Sequence, residues 1–110
     1  SIKKESLMGG MSCGEVSLVP WQILKNSVNH CVTVSDNYVS KTIKLLANSE
    51  FSEEKIVGGE CSTPGIISLI GLNNNLQTKR KINLDENSNV LLFGCEGDAD
   101  QELYQKLLNE

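Results

Sequence analysis

The run Val90-Leu91-Leu92-Phe93-Gly94-Cys95 is the feature that most constrains this chain, because polar turns flank it on both sides and every residue in it is apolar or small. A continuous apolar run of this length is what a parallel strand covered on both faces reads as. Two shorter segments carry the same reading. Cys31–Val34 holds the β-branched Val32, Thr33 and Val34, and Lys55-Ile56-Val57 runs into the glycine pair Gly58-Gly59. Helical patterns separate the three. The expected fold class is therefore α/β, with a three-layer-type parallel sheet and flanking helices. Right-handed crossovers would join the strands. The 110 residues form one unit, residues 1–110.

The first helix is expected after Ser17, with Pro20 in its first turn and Trp21, Leu24 and Val28 on one face. Ser35 or Asp36 caps a second, ending near Ala47, with the stripe Val39, Ile43, Leu46. A third starts near Ser62–Gly65. It carries Ile66, Ile67, Leu69 and Ile70 on several sides, so burial is expected. Asn73-Asn74-Asn75 ends it or its exposed extension, and Lys79-Arg80-Lys81 reads as a solvated helix end. The last helix spans about Asp100–Leu108, with Leu103, Leu107 and Leu108 inward.

Composition excludes several classes. With 39% hydrophobic and 22% charged residues, the chain is neither disordered nor a membrane protein, and its apolar runs are too short to span a bilayer. The net charge of −4, without a dense basic cluster, argues against nucleic acid. The opening residues Ser1-Ile2-Lys3-Lys4 lack the apolar core of a signal peptide. Cys13, Cys31, Cys61 and Cys95 are expected to be reduced in a cytoplasmic protein, two of them packed in strands or strand ends as small hydrophobes. No metal site is expected, since no zinc-type spacing exists and the single histidine, His30, starts a strand.

In parallel sheets ligands bind at the carboxyl ends of strands. Here the glycine-bearing segments 58–65 and 94–98 follow strand ends, and Gly9–Glu15 lies beside one. Gly59-Glu60-Cys61-Ser62-Thr63 would present free N–H groups at a helix start together with a thiol and hydroxyls, one of which can bond a heteroaromatic nitrogen. Helix capping by Ser62 or Thr63 is the plainer use of the same residues. Gly94–Asp100 permits close backbone approach, and Asp98 or Asp100 can cap the last helix. No nucleophile–base motif, dinucleotide fingerprint or phosphate loop occurs.

Three ordered motifs resemble one family. Ser6-Leu7-Met8-Gly9-Gly10-Met11-Ser12-Cys13-Gly14-Glu15, followed by Trp21-Gln22-Ile23-Leu24, is similar to the diaminopropionate ammonia-lyase segment T-I-M-A-G-L-A-C-G-E-P and its following W-E-[IV]-L. Ile56-Val57-Gly58-Gly59-Glu60-Cys61 resembles V-I-S-G-E-S-G-A. Val90-Leu91-Leu92-Phe93 through Glu96-Gly97-Asp98-Ala99-Asp100 resembles a strand followed by T-E-G-D-T-D. The chain departs from the pattern at Ser62-Thr63, where the family has Gly-Ala, and at Cys95, where it has threonine.

The resemblance implies the C-terminal part of the large cofactor-binding domain of a fold-type II pyridoxal-phosphate enzyme, in the tryptophan synthase β and threonine dehydratase superfamily. It implies α,β-elimination of ammonia from 2,3-diaminopropionate or a related amino acid. Cys61 takes the place of the serine facing the pyridine nitrogen, with Ser62 beside it. Glu96, Gly97 and Asp98 form the adjacent wall, and the loop bearing Gly10, Cys13, Gly14 and Glu15 lies near the ring edge. No catalytic residue is assigned. The family's Schiff-base lysine and phosphate loop lie upstream of the matched motifs, so the chain alone is expected to be inactive and to bind no pyridoxal phosphate covalently. Its expected partner is the missing N-terminal portion of the enzyme. The alternative is a non-catalytic α/β module that binds a ligand or self-associates, a homodimer included. Neither reading involves nucleic acid or a membrane.

Overall fold

The computed structural model describes residues 3–110; Ser1 and Ile2, which begin the segment read as no signal peptide, lie outside the described residues. Among the described residues five α-helices form: α1 (Leu18–Ser27), α2 (Val39–Ala47), α3 (Pro64–Asn73), α4 (Leu76–Lys81) and α5 (Gln101–Asn109). Single 3₁₀ turns at Gly9–Met11, Asp36–Tyr38 and Glu60–Ser62 punctuate the intervening loops.

The best-buried face lies between α2 and α5. Val39, Ile43 and Leu46 recur at helical spacing and are all buried, so the stripe expected of α2 is where it packs. Ser35 accepts the Asn37 N–H and opens the 3₁₀ turn that leads into α2. Asp100 accepts the Leu103 N–H at 2.9 Å and caps α5. That helix buries Leu107 and Tyr104, with Leu103 and Leu108 packed against the cluster. Ser40 on α2 donates to the Leu107 carbonyl at 2.8 Å and ties the two helices together. Met8, Cys61 and Ile67 complete the cluster, which thereby joins the start, middle and end of the chain. Each aliphatic side chain buried there contributes roughly 1.5–3 kcal/mol before entropy is counted.

Pro64 opens α3 at a position where its missing N–H costs nothing. Asn75 accepts from the Gln77 and Thr78 N–H groups and starts α4 as a separate helix. The cations Lys79, Arg80 and Lys81 occupy the last turn of α4, where the helix dipole favours them.

The expected parallel sheet is not there: no strand occurs among the described residues. A ladder needs repeated N–H to C=O bonds along neighbouring segments. Of the segments read as strands, 55–59 donates only two isolated backbone bonds, Ile56 N–H to the Leu46 carbonyl and Gly59 N–H to the Glu96 carbonyl, and its Gly59 carbonyl accepts from Ser62 within the next turn. The run at 90–93, read as covered on both faces, is instead exposed, with Leu91 at 77% and Phe93 at 80%. An apolar run states a demand for burial; it does not supply the neighbour.

Other expectations fail for the same reason. Trp21, Leu24 and Val28 lie on the surface, and no residue of α1 is buried. In α3 only Ile67 is buried, and Ile70 is exposed. Cys31 and Cys95 are exposed rather than packed in strands, His30 starts none, and only Cys61 is buried; all four cysteines are free thiols. The radius of gyration is 15.2 Å, against about 13 Å for a compact domain of this length. Among the described residues no helix is long and apolar enough to cross a membrane.

Candidate functional site

Three segments distant in sequence meet around Cys61. The first arrives under direction from Asp36. Its carboxylate accepts from the Ser6 hydroxyl and the Leu7 N–H, which sets Met8 into the core and lays the Gly9–Met11 turn against the Glu60–Ser62 turn. A Cβ on Gly10 would stand 3.1 Å from the Cys61 sulfur, so a side chain there would press on the thiol.

The second segment is the 59–63 turn itself. Ser62 donates to the Gly59 carbonyl at 2.6 Å and Thr63 to the Glu60 carbonyl at 2.8 Å. Both hydroxyls are thus spent backwards on the turn and neither caps α3, contrary to the capping expectation. Ser62 is buried, and its hydroxyl is engaged within the turn.

The third is the 94–98 loop. Glu96 accepts the Cys61 N–H on its carboxylate at 2.9 Å and the Gly59 N–H on its carbonyl at 3.1 Å. Cys95 donates its thiol to the Cys61 carbonyl at 3.3 Å, so the cysteine standing where the family motif has threonine still supplies a donor. Gly59 has no room for a side chain, because a Cβ would overlap the Gly97 carbonyl oxygen and the Glu96 side chain.

Glu60, Cys61 and Glu96 bring one thiol and two carboxylates within 4.8 Å of one another. Burial pushes the Cys61 thiol up from its ordinary value; the hydrogen bond to Glu96 and the Glu96 charge add to this, and Glu60 adds a smaller part. A backbone hydrogen bond from Gly10 opposes the shift. The result is a protonated, neutral thiol at neutral pH. No sequence spacing announced this grouping, since Glu60 is a neighbour of Cys61 but Glu96 lies thirty-five residues on.

Of the residues expected at a site, the structure brings together Gly10, Cys61, Glu96 and Gly97. Cys13, Gly14 and Glu15 are exposed beyond the first turn. Asp98 sits at the loop's far side, where it accepts from Gln101 at 2.6 Å. Ser6 and Asp36, which orient the first segment, were not expected; their bond links residues too far apart for any local pattern to reveal. None of the lysines, Lys3 to Lys106, is buried.

Comparison with known proteins agrees with the motifs. The chain is 26% identical over 108 residues to diaminopropionate ammonia-lyase of Escherichia coli (strain K12), covering 96% of this chain and 27% of the relative. It is 24% identical over 107 residues to the enzyme of the same name from Salmonella typhimurium (strain LT2), covering 94% and 26%. The chain therefore spans about a quarter of the length of the curated relatives it matches. No protein-family profile matches it, and no solved structure does.

Proposed function

We propose that this chain is the C-terminal portion, as a piece or as a split subunit, of a pyridoxal-phosphate-dependent ammonia-lyase that eliminates ammonia from 2,3-diaminopropionate or a related amino acid. One observation carries the reading. The chain resembles diaminopropionate ammonia-lyase over nearly its whole length, and the three motifs of the resemblance converge on Cys61 through Gly10, Glu96 and Gly97. Motifs that scatter in space would have carried no such weight.

The residues present suit one part of the cofactor. A neutral thiol is an apt partner for a pyridine nitrogen, because it leaves that nitrogen unprotonated and places no charge against the ring. Cys61 would hold this edge, the backbone around Glu96 and Gly97 would form the wall beside it, and the Gly9–Met11 turn would close the approach. When bound, the cofactor supplies the electron sink for elimination. This chain's part is to position the ring edge and keep a proton on the Cys61 sulfur. No lysine is buried among the described residues, and in the proposed enzyme the Schiff-base lysine and phosphate loop would come from its remaining portion.

The test is complementation. The chain is mixed or co-expressed with the remaining N-terminal portion of a diaminopropionate ammonia-lyase and supplied with pyridoxal phosphate. Keto-acid release from 2,3-diaminopropionate that depends on both parts is the expected result. No product from any 2,3-diamino or hydroxy amino acid, despite formation of the complex, would overturn the reading.

A further inference from the structure

The Cys61 turn is fastened to the 94–98 loop at two points, and Glu96 makes both. Its carbonyl accepts the Gly59 N–H at 3.1 Å, and its carboxylate reaches over the turn to accept the Cys61 N–H at 2.9 Å. Bonds to two residues of one short turn fix its tilt as well as its distance. The lack of a side chain at Gly59 lets its backbone lie this close to the Gly97 carbonyl and the Glu96 side chain. On the opposite side the thiol meets the Gly10 backbone, so the turn has little freedom to rotate.

We propose that Glu96 is the positioning residue of this site, holding the 59–62 turn so that the Cys61 thiol is presented beside the Gly9–Met11 turn. The proposal deepens the reading of Cys61 as the ring-nitrogen partner and rests on that reading for its purpose, though not for its geometry. The titratable groups facing the Cys61 turn are Glu60 on the turn itself and Glu96 and Cys95 on the facing loop, and Tyr104 of α5 belongs to the same buried cluster. Glu96 thus does two things at once: it fixes the turn, and its negative charge disfavours the thiolate.

The experiment reads alkylation of Cys61 by iodoacetamide, resolved by peptide mass spectrometry, as a function of pH in the full 110-residue chain with a chelator present. The exposed Cys13 serves as the internal reference. E96Q keeps an acceptor oxygen for the Cys61 N–H but removes the charge. It is expected to alkylate several-fold faster at neutral pH, with the midpoint of its profile moved to lower pH, while E60Q moves it less. E96A keeps the backbone bond to Gly59 but loses the side-chain tether to Cys61 as well as the charge, and its Cys61 is expected to react faster at every pH than that of E96Q. A turn that is only loosened reacts faster throughout with an unmoved midpoint. E96A and E96Q share the loss of charge and differ in the tether, so a Cys61 that reacts no faster in E96A than in E96Q would overturn the proposal. The readout needs no cofactor, so its failure is distinct from a failure of complementation.

Discussion

The Ser6 hydroxyl donates to the Asp36 carboxylate at 2.6 Å, across thirty residues of chain. The second carboxylate oxygen takes the Leu7 N–H at 2.8 Å, and the Ser6 oxygen in turn accepts from the Met8 N–H at 3.1 Å. These bonds hold the segment that delivers the Gly9–Met11 turn to Cys61. The Ser6 bond, then the Leu7 bond, hold the Asp36 carboxyl below the usual carboxylate value. The folded pKa lies below the unfolded one, so the stabilisation is complete above the unfolded value of about 3.9 and is lost as pH falls through the folded value. Asp36→Asn is therefore expected to melt lower than the unsubstituted chain at neutral pH, with the gap closing in acid. Thermal melts of both chains across that range check this; a gap independent of pH would show that Asp36 contributes through shape alone.

Two glycines separate crowding from backbone entropy. Gly59→Ala drives a Cβ into the Gly97 carbonyl and the Glu96 side chain, which are held together by the bonds described above. A cost of about 1–3 kcal/mol is expected, typical of forced overpacking. Gly71, near the end of α3, meets nothing within 4 Å at its would-be Cβ. Gly71→Ala is expected to stabilise the helix by roughly 0.5–1 kcal/mol. Urea denaturation of both variants checks the opposite signs.

What could be read from the sequence divides by the range of the information needed. The stripe Val39, Ile43, Leu46 and the Asp100 cap were legible because helix periodicity and capping are local. The motif at Cys61 was legible as a family resemblance, but the contacts of Gly10 and Glu96 with it are long-range and no local pattern shows them. The inward bond of the Ser62 hydroxyl was not legible, since Ser62 could as well have capped α3. The sheet was misread because Val90–Phe93 looks the same whether or not a neighbouring segment exists to bury it. The covering that α1 and this run call for is not supplied by residues 3–110.

Tyr104 buries its ring in the core, yet its hydroxyl has no hydrogen-bond partner among the described residues. Burial, then the Asp98 charge, push its phenol up from the ordinary value, so it stays protonated and still unpaired. An unsatisfied buried hydroxyl is a cost that removal relieves. Tyr104→Phe is expected to match or exceed the unsubstituted chain in stability, whereas Tyr104→Ala, which empties the ring's place, is expected to cost about 3–5 kcal/mol. Thermal unfolding of the two variants tests this. A clear loss in Tyr104→Phe would mean that the hydroxyl holds a water or a group from a partner.

The apolar surface offers the most direct test of the proposed second portion. Leu91 and Phe93 project from the 90–93 run, and beside them an apolar groove of about 420 Å³ is lined by Phe51, Ile56, Val57 and Leu92 among others. A patch of this kind is a docking surface or a route to self-association. The relatives are about four times longer than the matched stretch, and the remainder of such a polypeptide is the occupant that fits the proposed function. Leu91→Asp and Phe93→Asp alter side chains that the chain itself does not bury, so its helical signal and unfolding midpoint are expected to stay within about 0.5 kcal/mol. Binding to the complementary portion, measured by titration calorimetry, is expected to weaken by about 2 kcal/mol or more for an anchor at the centre of the interface. Undiminished binding would place the interface elsewhere, with the exposed face of α1, bearing Trp21 and Leu24, next to be substituted.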